Sequence, residues 1–132
     1  GMNIAIAGMA FLVTVISLVV SGIGIMNVMF VSVRERTKEI GLRKAMGATN
    51  NNILVQFLSE AIAISIIGGT IGIVLVKLMT VALASYASFP VEFDLLLIFY
   101  TFMICVFIGI TSGILPARTA ANLHPIDALR HE

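Results

Sequence analysis

The first 33 residues, Gly1 to Val33, contain no charged side chain, and this run limits the fold more than any other feature. A helix rises about 1.5 Å per residue, so about 20 apolar residues cross a hydrocarbon core of roughly 30 Å. The stretch from Asn3 to Val33 is longer than that, and it is expected to tilt, protrude or bend near Ser21-Gly22-Ile23-Gly24. A cleavable signal peptide does not fit, because no basic residue precedes the run and the run is too long. A second apolar stretch extends from Ile53 to about Ala84, with Glu60 near one end and Lys77 near the other. A third extends from Leu95 to about Leu115 and is expected to stop at Pro116, which has no N–H with which to continue a helix. Composition points to the same solvent: 59% of residues are hydrophobic and 11% charged, whereas soluble domains carry about 25% charged residues. The single cysteine, Cys105, excludes a disulfide scaffold. The expected fold is an all-α membrane protein forming one domain over residues 1–132. Its spans lie near 3–33, 53–84 and 95–115, a short helix lies within 34–52, and a polar tail covers 117–132.

Basic residues orient such a chain. Arg34, Arg36, Lys38, Arg43 and Lys44 fall between the first two spans, and Arg118 and Arg130 lie in the tail. The loop Ser85–Asp94 between the second and third spans has no basic residue, and it carries Pro90, Glu92 and Asp94. Lys77 lies far enough along its span to snorkel to the opposite face. The expected topology has an outside N-terminus, a cytoplasmic 34–52 segment and a cytoplasmic tail. Tyr86, Phe89, Phe93 and Tyr100 fit an interfacial aromatic belt around the outer loop.

Between the first two spans, Glu39 and Arg43 form a favourable i,i+4 pair, while Glu35 with Glu39 and Arg34 with Lys38 repel at the same spacing. That conflict leaves two readings: a solvated positive-inside loop, or a surface that meets a partner. Gly41 is expected to interrupt or bend the helix, Gly47 to end it, and Thr49 or one of Asn50 to Asn52 to cap the next.

Here two motifs become recognisable. The run Ser21-Gly-Ile-Gly-Ile-Met-Asn-Val-Met-Phe-Val-Ser-Val-Arg-Glu-Arg-Thr-Lys-Glu-Ile-Gly-Leu-Arg-Lys-Ala-Met-Gly-Ala-Thr49 closely resembles ABC-transporter permeases of the MacB/FtsX-like family. The tail Leu115-Pro-Ala-Arg-Thr-Ala-Ala-Asn-Leu-His-Pro-Ile-Asp-Ala-Leu-Arg130 resembles that family's C-terminal signature. The resemblance implies a four-span bacterial plasma-membrane permease, of which this chain matches spans two to four. The first span and a large extracytoplasmic domain would precede it; Gly1 before Met2 looks like an expression scar, with a split gene or a separately produced half as the alternative. It further implies two permease copies driven by cytoplasmic ATPases, with the segment after the second span docking into the ATPase as a coupling helix. Carried onto this sequence, that role falls on Glu35, Arg36, Glu39, Ile40, Gly41, Arg43, Lys44, Met46 and Gly47. Charge reversal of Glu39 and Arg43 is expected to uncouple ATP hydrolysis from transport. The implied partners are the ATPase, a second permease copy, an extracytoplasmic adaptor or lipoprotein, and the lipid bilayer, with no nucleic acid.

The implied function is mechanical: ATPase motion is passed across the membrane to drive export or extraction of an antibiotic, peptide or lipoprotein. A regulatory alternative relays ATPase state to an extracytoplasmic cell-wall hydrolase, and a third reading is a small self-assembling membrane protein. The exporter-like match of Glu35 to Ala48 favours the first. No Gly-x-x-x-x-Gly-Lys-Ser/Thr phosphate cradle occurs in the 132 residues. The chain is therefore expected to be no enzyme and to hold no cofactor, with ATP-Mg bound by the partner ATPase. His124 and His131 are expected to be solvated, and no metal site is expected.

Three further groups stand out. Gly68 with Gly72, and Gly109 with Gly113, are spaced for close helix approach, either within the chain or between copies. Glu60 lies about two turns inside its span, where an ionisable group should find a partner. A pair with a basic residue of the 34–52 segment is the structural reading, and a proton relay, which lacks a second acid at that depth, is the other. Finally, Pro125 to Arg130 is expected to form a short helix whose Ile126 and Leu129 rest on the ATPase, the coupling helix or the membrane surface.

Overall fold

The computed structural model describes residues 2–84, 94–124 and 126. Among the described residues four helices follow one another: α1 (Met2–Glu35), α2 (Thr37–Ala45), α3 (Asn50–Ala84) and α4 (Leu95–Ala121). No strand occurs among the described residues. Three of the helices, α1, α3 and α4, are long and apolar enough to cross a membrane. At 34 residues, α1 is about 51 Å long, and it is continuous across Ser21–Gly24, so no break marks the expected bend. The outer loop with Pro90 and Glu92, the aromatic residues Tyr86, Phe89 and Phe93, and the tail from Pro125 onward apart from Ile126 lie outside the described residues. Ile126 is exposed.

The buried cluster sits at one end of the bundle, where the end of α1, all of α2, the start of α3 and the end of α4 converge. It comprises Met29 and Val33 from α1, Ile40 from α2, Ile53, Phe57 and Ala61 from α3, and Ala117, Ala120 and Ala121 from α4. The large apolar side chains farther along the three long helices are mostly exposed, as a lipid-facing surface requires. Pro116 does not end α4, contrary to the expectation from sequence. The helix continues to Ala121, with Pro116 fully buried and Ala117, Ala120 and Ala121 packed in the cluster. The bond that proline removes costs less there than breaking a helix whose last turn fills the core.

α3 and α4 form the tightest pair. A Cβ built at Gly109 would stand 2.8 Å from the Ile62 Cα, and one at Gly113 would stand 2.5 Å from the Ala61 Cβ. The Ser65 hydroxyl crosses the gap to donate to the Cys105 carbonyl at 2.7 Å. Gly68 and Gly72 make no such approach, since nothing lies within 4 Å of a Cβ added at either. Within the chain it is Gly69 that approaches α4, its added Cβ meeting the Cys105 sulfur. Spacing alone does not fix which face of α3 meets α4, because any of its three nearby glycines can supply an i,i+3 or i,i+4 match. At Gly22 of α1 an added Cβ would meet the Ser112 hydroxyl of α4 at 2.8 Å.

The α2–α3 turn follows directly from its sequence. Gly47 takes φ +103°, the Gly47 N–H donates to the Lys44 carbonyl, and the Ala48 N–H donates to the Arg43 carbonyl, each at 3.0 Å. These two bonds form a Schellman motif with glycine in the left-handed position. Thr49 then caps α3, its hydroxyl accepting the Asn52 N–H at 3.3 Å. Gly47→Ala is expected to destabilise the protein by about 1 kcal/mol, read as an earlier midpoint in thermal unfolding of the detergent-solubilised chain.

Candidate functional site

Sequence and burial divide α2 and the residues flanking it into two faces. Ile40 and Gly41 are buried, Arg36, Arg43 and Lys44 are half-buried, and Glu35, Lys38, Glu39, Leu42, Met46 and Gly47 are exposed. The expected bend at Gly41 is absent, because α2 is continuous from Thr37 to Ala45. The interruption falls at Arg36, with φ −99° and ψ 15°. It is a one-residue joint: the Arg36 N–H still donates to the Ser32 carbonyl, and the Ile40 N–H donates to the Arg36 carbonyl. The Thr37 hydroxyl donates to the carbonyls of Val33 and Arg34 beside it. Burying Gly41 beside Ile40 keeps the helix whole there, while Arg36 turns toward α3.

Arg36 is the hub of a closed ring of hydrogen bonds. Its guanidinium donates to the Glu60 carboxylate at 3.0 and 3.1 Å and to Glu39 at 3.3 Å, and it lies 5.4 Å from the centroid of the Phe57 ring. Glu39 also accepts from Arg43, Arg43 donates to the Gln56 side-chain oxygen, and the Gln56 amide donates to Glu60 at 3.5 Å. The ring thus runs Arg36, Glu39, Arg43, Gln56, Glu60 and back, joining α2 to the first turns of α3. The repulsion expected between Glu35 and Glu39 is overridden, since Glu39 is drawn to two arginines. Hydrogen bonding from Arg36, reinforced by its charge, holds the Glu39 carboxyl below the ordinary glutamate range. In return the bonds from Glu39 and then Glu60 push the Arg36 guanidinium up.

At the other end of α2, the Lys44 ammonium donates to the carbonyls of Ala121 and Leu123, the latter at 2.8 Å. These carbonyls lie at the C-terminal end of α4, where a cation meets both unpaired acceptors and the negative end of the helix dipole. One short helix is therefore anchored to α3 through Arg36 and Arg43 and to α4 through Lys44. Glu60 is paired with a basic residue of the segment beside α2, the structural reading of its sequence position.

Geometry divides the expected coupling residues. Arg36, Ile40, Gly41, Arg43 and Lys44 hold α2 in place, and Glu39 closes the ring. Only Glu35, Met46 and Gly47 face outward without a part in that bracing. Lys38 and Leu42 join them on the outer face, where Leu42 is 54% and Met46 73% exposed. Sequence reasoning missed these two, although Lys38, Leu42 and Met46 follow an i,i+4 spacing that places them on one stripe. Gln56 was missed as well, despite lying one turn before Glu60 on the same face.

The profile described as FtsX-like permease C-terminal matches residues 11–125. The chain belongs to that family. This permease segment is 49% identical over 121 residues to the macrolide export ATP-binding/permease protein MacB of Shewanella sp. (strain W3-18-1), covering 91% of the chain and 19% of that relative. It is 48% identical over 122 residues to the protein of the same name from Escherichia coli (strain K12), covering 92% of the chain and 19% of the relative. The Bdellovibrio bacteriovorus protein of that name is 48% identical over 120 residues, covering 91% of the chain and 18% of the relative. The permease segment thus spans about a fifth of the length of the curated relatives it matches. It is a multi-pass membrane segment of the ABC-transporter permease type.

Proposed function

We propose that this permease segment transmits the motion of a cytoplasmic ATPase across the bacterial plasma membrane to drive export or extraction of a substrate, with α2 as the element that meets the ATPase. The observation that carries this reading is the outer face of α2. Two apolar side chains, Leu42 and Met46, stand exposed one and two turns beyond Lys38, on a helix whose other side is fixed to α3 and α4. A short helix so braced can pass on a rigid-body displacement instead of absorbing it. The positive-inside distribution supports a cytoplasmic position for α2, and the relatives' name, macrolide export ATP-binding/permease protein, supports the exporter class. ATP binding and hydrolysis belong to a separate subunit or domain, since this segment has no phosphate cradle.

Cross-linking tests the reading. Single cysteines at Leu42 or Met46, in a Cys105→Ala background of the permease assembled with its ATPase, are expected to join the ATPase with a bifunctional thiol reagent. The yield is expected to change when ATP is added, and cysteine at the lipid-facing Val74 provides the negative control. Failure of both α2 positions to cross-link, in a complex that still co-purifies, rejects the docking role.

A further inference from the structure

The hydrogen-bond ring assigns a role to two groups that belong to the membrane helix and not to the docking face. We infer that Gln56 and Glu60 are positioning residues for coupling: they lock α2 onto the start of α3, so that displacement of α2 moves α3 with it. The inference rests on the docking role of α2 proposed above, and it names where on the membrane side the motion is received.

Three observations carry it. First, α2 meets α1 through a joint of one residue, Arg36, which lies outside helical geometry. Backbone bonds span that joint, and side chains add the links that fix α2 against α3. Second, the side chains that supply it converge on adjacent turns of α3. Gln56 and Glu60 are half-buried and four residues apart, and each takes a different arginine of the α1–α2 segment. Two separate attachments on one helix face resist rotation as well as translation, which a single ion pair does not. Third, the same turns of α3 carry Phe57, fully buried under the Arg36 guanidinium, and lead directly into Ala61 and Ser65, where α3 is packed against Gly109 and hydrogen-bonded to Cys105 of α4. A shift received at Gln56 and Glu60 is therefore delivered to the α3–α4 pair as one body.

The test uses the permease assembled with its ATPase. Spin labels at Ala45→Cys and Ser59→Cys, both exposed positions, report the α2–α3 distance in a Cys105→Ala background. Coupling is read as the ratio of ATP hydrolysis with a macrolide probe, erythromycin, to hydrolysis without it. Glu60→Leu and Gln56→Leu are each expected to broaden the distance distribution and to lower that ratio roughly fivefold, the lower end of coupling between distant sites. Gln56→Leu replaces a neutral side chain of similar length and decides the matter if Glu60→Leu does not fold. A broadened distance with an unchanged ratio, or a reduced ratio with an unchanged distance, overturns the inference, as does no change in either. The docking role fails separately, through loss of the α2 cross-link while the ring variants still loosen α2.

Discussion

Gly109→Leu is expected to separate α3 from α4 and to give a large loss of stability. The hydrogen that Gly109 presents to α3 has no room for a carbon. A Cβ there would stand 2.7 Å from the Ser65 hydroxyl, 2.8 Å from the Ile62 Cα and 3.2 Å from the Ala61 carbonyl oxygen. Two of those three neighbours are backbone atoms, which cannot rotate away, so the helices have to move apart. Moving them breaks the Ser65 to Cys105 hydrogen bond and opens the contact between Gly113 and Ala61. Overpacking of a tight interior costs about 1–3 kcal/mol, more where the backbone itself obstructs. Without a hydrophobic force between helices in lipid, close packing and such cross-helix bonds are what hold the pair. Gly72→Leu, with nothing within 4 Å of the added carbon, is the matched control. Thermal or SDS-induced unfolding of the two solubilised variants should show a markedly lower midpoint for Gly109→Leu alone. Equal midpoints would remove Gly109 from the helix interface.

The long apolar runs made the number of spans and their order legible from sequence, because a helix that faces lipid needs an uninterrupted apolar surface and nothing else supplies one. The turn at Gly47 and Thr49 was legible for the same local reason: left-handed backbone and an N-cap hydroxyl are properties of single residues. Pro116 misled because proline's missing N–H is a local signal, while the burial of Ala117, Ala120 and Ala121 that keeps the helix going is tertiary. Which face of α3 meets α4 was not legible, because spacing identifies a face only relative to a partner; Gly69, beside Gly68, faces α4. Glu60 was legible as a group needing a partner. That the partner is Arg36, with Gln56 and Arg43 completing a ring, depends on how α2 folds back on α3, which no local pattern encodes. The same fold-back sorts the charged segment into anchors and an exposed stripe. Reversing both Glu39 and Arg43, a change suggested by sequence, would preserve their mutual attraction while setting an arginine at 39 beside Arg36. Its outcome would mix two effects.

A single reversal at the hub is the cleaner experiment. Arg36→Glu is expected to release α2 from α3, because it places a third carboxylate beside Glu39 and Glu60 and removes the donor to both. It also withdraws the cation from the face of Phe57. Exposed ion pairs contribute about 0–1 kcal/mol, and breaking a fully buried pair costs about 3–5 kcal/mol. Side chains about one-third exposed, 31% for Arg36 and 35% for Glu60, fall between these limits, near 2 kcal/mol. The pH dependence distinguishes lost attraction from a general packing defect. In the wild type the Glu39 carboxyl is held below its usual range by Arg36, so its contribution is fully present above the ordinary glutamate pKa. That contribution is lost only as pH falls through the lower folded-state value, and acid therefore weakens the wild type. The variant has no cation at position 36 and an excess of negative charge, so protonation in the same acidic range relieves repulsion and narrows its deficit. Unfolding midpoints measured from pH 7 down to about pH 2, below the ordinary carboxylate range, should thus converge for the two proteins. A deficit that stays constant across that range would mean that Arg36 acts through packing on Phe57, and the electrostatic account of the ring would fail.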